Sequence, residues 1–118
     1  MDSERKAEDL RKQVLLREKD VKRIQDLVSN SERLIEGLSA SIAAEEKKTG
    51  IKDTNNPLYS LTAKDERHRR KNLEATTAFL REHDLVAAQE LLRQAQEAEQ
   101  IFLRQQAREK ARPAHTSA

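Results

Sequence analysis

The apolar positions of this chain fall into two long runs at helical spacing, separated by a single break. In the first run Val14, Val21, Val28, Ile35 and Ile42 recur every seven residues, all of them β-branched. Leu10, Arg17, Ile24, Ser31 and Leu38 form a second stripe between them, so the steps alternate between four and three. That is the seam of a coiled coil. Leu27 and Leu34 widen the face, while Arg17 and Ser31 interrupt it. Leu15 and Leu16 stand off the seam and call for another covering surface. Glu8 with Lys12, and Glu18 with Lys22, add i,i+4 pairs in the favourable order, acid first. Gly37 falls on the outer face, where it costs about 1 kcal/mol relative to Ala.

The second run is less regular. Leu73, Leu80, Ala87 and Ile101 share one stripe, Thr77, Leu91 and Ala98 the other, and Asp84 and Gln94 spoil both. A neighbouring row, Leu85, Ala88, Leu92, Ala95 and Phe102, is apolar as well. From Leu85 onward the helix is therefore apolar over a face wider than one partner helix covers.

Between the runs lies Thr49–Leu61, with one of the two glycines and one of the two prolines. Lys47 and Lys48 suit the negative end of a helix dipole. Gly50 suits the left-handed position just past a helix end, with Ile51 supplying the accompanying apolar contact, and Asn56-Pro57 opposes continuation. Thr62 reads as the N-cap of the second helix, with Asp65 as its reciprocal acid. The pattern predicts an all-α fold, an antiparallel two-helix coiled coil in one domain. Helix 1 spans about 3–48, the tip 49–61, helix 2 62–112, and 113–118 form a frayed tail.

Composition narrows this further. Charged residues make up 37% of the 118 and aromatics 3%, too few large apolar side chains for a compact globular core. Such a composition also suits disorder, but the heptads are too regular for it. The net charge is only +2, with both signs mixed along the chain, which argues against a dedicated nucleic-acid binder. Without cysteine there is no disulfide or thiolate chemistry. The sequence shows neither a secretory signal nor an apolar run long enough for a membrane span. These features predict a soluble protein, and the absence of cysteine fits a reducing cytoplasm.

Catalytic chemistry finds no footing. His68, His83 and His115 fit no zinc spacing, two glycines build no phosphate loop, and the adjacent Glu45 and Glu46 point apart on a helix. The sequence thus predicts a non-enzyme without metal or cofactor. Arg67–Lys71 is the one basic cluster. It reads as a solvated helix face, as a contact for an acidic protein surface, or, without stacking aromatics, least well as a nucleic-acid patch. Phe79 and His83, four apart, are one candidate partner contact. Leu58, Tyr59 and Leu61 either cap the hairpin's end or meet a partner there.

Around the break the order of motifs is distinctive. Ala43-Ala44-Glu45-Glu46 precedes Thr49-Gly50-Ile51 and Asp53, then Pro57 and Tyr59, then Arg69-Arg70-Lys71-Asn72-Leu73. Over roughly Ile24 to Leu92 this resembles the flagellar type III export protein family FliJ, in its alphaproteobacterial form. The resemblance implies a non-catalytic hairpin similar to the central stalk of rotary ATPases, peripheral to the inner membrane at the flagellar base. It implies that the paired helix ends enter a hexameric export ATPase while other parts contact the export gate and export chaperones. Membrane association would be indirect, through the gate. Leu15, Leu16, Leu85, Leu92 and Phe102 are the candidate contacts toward the open end of the hairpin. Leu58, Tyr59, Leu61, Arg69, Arg70, Asn72, Phe79 and His83 are the candidates toward the tip. Two other readings stand beside it: a homo-oligomeric coiled-coil scaffold whose register is set by Arg17, Ser31 and Asp84, and a basic nucleic-acid-binding hairpin.

Overall fold

The computed structural model describes residues 2–112; the predicted tail, with His115, lies outside them. Among the described residues the fold is all-α, a helical hairpin. Its elements are α1 (Asp2–Thr49), α2 (Leu61–Phe79), a π turn (Leu80–Asp84) and α3 (Leu85–Ala111). The chain packs as two compact units, Arg23–Leu85 and Met1–Lys22 with Val86–Ala118.

In the unit Arg23–Leu85, the later part of α1 runs antiparallel to α2. Glu46 meets Arg67, Ser39 meets Arg70, and Glu32 meets Arg81, one number rising as the other falls. Val28, Ile42, Tyr59, Ala63 and Thr77 are buried. The Thr77 hydroxyl donates to the Leu73 carbonyl at 2.7 Å, so this buried polar group is satisfied within its own helix. In the other unit, Arg11 pairs with Glu99 at 3.4 Å and the Lys6 ammonium sits 5.3 Å from the centre of the Phe102 ring. Val14, Val21 and Ala88 are buried there. On the outer face Arg93 bridges Glu90 and Glu97, at 2.7 and 2.8 Å.

The seam of α1 follows its heptad. Val14, Val21, Val28 and Ile42 are buried, and Leu10, Arg17, Ile24, Ser31, Ile35 and Leu38 are half-buried. The second helical run departs from its heptad at one point. In α2 the covered positions are Ala63, Arg70 and Thr77, with Glu66, Leu73 and Leu80. In α3 they are Leu85, Leu92, Glu99 and Gln106, with Ala88, Ala95 and Phe102. Each series steps by seven, but Thr77 to Leu85 and Leu80 to Ala88 step by eight. The π turn supplies the extra residue. The Leu85 N–H bonds the Leu80 carbonyl, five residues back rather than four. One extra residue is thereby taken up between the two series. The stripes expected to continue through Ala87, Leu91, Ala98 and Ile101 are therefore exposed, and the neighbouring row is the seated one. Asp84, which spoils the expected stripe, lies inside the turn and is exposed.

The second cap also differs from expectation. Helix α2 starts at Leu61, and its N-cap is Ser60, whose hydroxyl accepts from the Ala63 N–H at 3.2 Å. Thr62 is already helical. Ser60 prevails because the same hydroxyl donates to Glu45 on α1 at 2.9 Å, a tie beyond the reach of local capping rules.

The π turn makes a strong prediction. Deleting Glu82 should turn the π segment into ordinary α-helix and keep both halves of the seam in phase. In thermal melts followed by circular dichroism this variant should match or exceed the parent. Deleting Ala75, within α2, should throw the seam out of phase and lower the melting temperature by several degrees.

Candidate functional site at the tip and its flanks

The tip is built from short-range signals. Gly50 sits at φ +73°, and its N–H bonds the Glu46 carbonyl at 2.8 Å, a left-handed helix cap. Thr49 donates its hydroxyl to the Glu45 carbonyl at 3.2 Å and accepts from the Ile51 N–H at 3.3 Å. Two Asx turns follow: Asp53 accepts from the Asn55 N–H and Asn56 from the Leu58 N–H, each at 2.9 Å. The chain is thus steered, turn by turn, toward α2.

A long-range clasp then closes the loop. The Tyr59 hydroxyl donates to Glu46 Oε2 at 3.1 Å and accepts from Arg67 Nε at 2.8 Å. Arg67 Nη2 donates to the same Glu46 oxygen at 3.0 Å. The guanidinium also lies 5.9 Å from the centre of the Tyr59 ring. Its hydrogen bond from Arg67 is the main cause that holds the Glu46 carboxyl below the usual carboxylate range; burial opposes this and Tyr59 adds to it. Arg67 is held above its ordinary value by Tyr59 and then Glu46.

The two flanks of the unit Arg23–Leu85 differ. Residues that follow the seam positions Ser31, Leu38, Leu73 and Leu80 line one flank, which is polar. It carries the Glu32–Arg81 pair, Ser39 bonded to Arg70 at 3.1 Å, and the Arg70–Glu74 pair at 3.7 Å. Residues that precede seam positions line the other, which holds an apolar groove of about 410 Å³ formed by Leu34, Leu38, Arg69, Asn72, Leu73 and Thr76. Leu27 and Leu34 are exposed. Phe79, 57% exposed, stacks on His83 with ring centres 4.6 Å apart.

The sequence-predicted residues are thus dispersed. Tyr59 is 6% exposed and caps the hairpin end, the first of the two roles open to it, whereas Leu58 and Leu61 are 77% and 81% exposed. The basic run Arg67–Lys71 is not one patch. Arg67 and Arg70 turn onto α1, Arg69 lines the groove with Asn72, and His68 and Lys71 line a cleft of about 320 Å³ with Thr54, Tyr59 and Lys64. In the other unit Leu15 and Leu16 are exposed, and Leu92 and Phe102 half-buried; Leu85, in the tip unit, is also half-buried. Sequence reasoning missed Glu46 as the hub of the clasp. It also missed the groove, although Leu27 and Leu34 at the same heptad position were its signal. Among the described residues no cluster of His, Cys, Asp or Glu has the makings of a metal site, and no helix is long and apolar enough to cross a membrane.

No protein-family model, curated protein or solved structure matches this chain significantly.

The clasp predicts a pH-dependent stability. Because the folded Glu46 has a lowered pKa, its stabilisation is present above the unfolded carboxylate pKa. It is lost as pH falls through the folded one. Glu46→Gln should melt below the parent at neutral pH, and the gap should close in acid, where the parent's carboxyl is also neutral. Tyr59→Phe should cost about 1 kcal/mol, the net worth of a buried hydrogen-bonding hydroxyl.

Proposed function

We propose that this chain is a non-catalytic stalk and adaptor of the flagellar type III protein export apparatus, working through coiled-coil contacts with a hexameric export ATPase, the export gate and export chaperones. The observation that supports this reading is the construction of the tip. Several of the residues that carry the resemblance to the FliJ family help build it: Glu45 and Glu46, Thr49 and Gly50, Asp53 and Tyr59. A set whose members share one turn is a more specific likeness than shared heptads. The helical hairpin suits a stalk, and its uncovered apolar side chains suit a protein whose work is holding other proteins. In this reading the protein is cytoplasmic and reaches the inner membrane only through the gate.

The test is to mix the protein with the export ATPase and follow ATP hydrolysis and hexamer assembly. Binding with a change in both is expected. Leu16→Asp, at an exposed position of α1, should weaken the complex about tenfold, which corresponds to ~1.4 kcal/mol, while helicity is unchanged. No binding and no effect on hydrolysis would rule the reading out.

A further inference from the structure

Helix α3 carries two rows at heptad spacing. The first is seated against α1. The second, Ala87, Leu91, Gln94, Ala98, Ile101 and Gln105, also rises by alternating steps of four and three. All six are exposed, Leu91 at 41% and Ile101 at 45%. None carries a charge, in a chain where 37% of residues do. Glu90, Arg93, Glu97 and Arg104 lie beside the row and are charged and exposed, while the outward positions Gln89, Gln96, Gln100 and Leu103 are exposed and uncharged. The second row stands about a quarter turn from the first, which is the spacing at which a helix in a four-helix bundle meets its second neighbour.

The row is complementary to itself. In an antiparallel pair centred on Gln96, Leu91 meets Ile101 of a second copy, Gln94 meets its Ala98, and Ala87 meets its Gln105. Large faces large, and each amide faces a small side chain. On the outer flank Glu90 comes opposite Arg104 of the second copy, and symmetry makes this pair twice. Glu97 approaches its own counterpart, but each is already bonded to Arg93 of its own helix at 2.8 Å. A parallel pair would stack Gln94 on Gln94 and set Glu90 against Ala95 and Glu97 against Phe102, leaving only Arg104 an opposite charge, at Glu109 beyond the row. We infer that α3 joins two copies of this chain through Ala87–Gln105, antiparallel, with the Gln positions setting the register. This goes beyond the adaptor reading and is tested without any other protein.

Sedimentation equilibrium from micromolar to millimolar concentration should show a species of twice the 13.6 kDa chain mass. Leu91→Glu should leave only monomer with unchanged helicity, and Leu103→Glu, exposed but off the row, should still dimerise. The chain has no cysteine, so single-cysteine variants report geometry cleanly. Paired Ala98 positions lie about 6 Å apart along the axis and paired Ala87 positions about 27 Å apart. A short bismaleimide should therefore cross-link Ala98→Cys and not Ala87→Cys. A chain that stays monomeric throughout, a dimer indifferent to Leu91→Glu, or equal cross-linking at both positions would overturn the inference.

Discussion

Two helices side by side share one seam, and a seam this narrow makes phase the controlling constraint on the structure. Each helix can offer its partner only one stripe, and a shift of a single residue replaces that stripe with its neighbour. Among the described residues Val14 is the largest side chain brought to full burial. Stability must therefore come from many half-covered positions kept in step within each unit. The π turn at Leu80–Asp84 is intelligible in these terms. The sequence of the second run changes apolar row at Asp84, and an α-helix carried through unchanged would have left either Leu73 and Leu80 or Leu92 and Phe102 outside. A turn that absorbs one residue seats both sets.

Phase along a seam needs an origin, and the clasp at the tip provides one. Glu46, Tyr59 and Arg67 come from the end of α1, the loop and the first turns of α2. They fix how far α2 is displaced along α1. The Ser60 hydroxyl does the same one step further on, capping α2 while held by Glu45. Two adjacent acids that looked incapable of joint chemistry are thus both used, each reaching a different element. About 100° apart on the helix, too divergent for an acid/base pair, they reach the neighbouring residues Tyr59 and Ser60 separately.

How much of this could be read in advance depends on the range of the determining interactions. The α1 seam was legible because five β-branched residues repeat without a slip, and the hairpin because Gly50 and Asn56-Pro57 are local stop signals. The cap at Ser60 was not, since Ser60 and Thr62 are equally good capping residues and the choice is made by Glu45 across the loop. The π turn was half-legible: two competing rows on either side of Asp84 were visible, but their resolution is a hydrogen-bond shift that no residue type announces. Tyr59 had two roles open to it, and its burial depends on Arg67 eight residues later. Arg67–Lys71 looked like one basic cluster because sequence proximity was taken for spatial proximity. On a helix five consecutive residues face all ways.

The distribution of charge shows what the covered seam cannot explain. In a chain so rich in acids and bases, surface left to water carries charge as a matter of course. The flank with Glu32, Ser39 and Glu46 follows that habit and spends its ions on the partner helix. The second row of α3 does not, and on the flank with Leu27, Leu34 and Thr76 the groove takes in one charge, that of Arg69. Exposed apolar residues scattered singly need no cause, but a row that keeps heptad spacing and excludes charge is ordered in the same way as the buried seam. The hairpin satisfies only one face of α3, so a chain whose own fold needs a single seam carries the pattern of at least one more. The reason for that pattern has to be sought in association, not in the stability of the isolated hairpin.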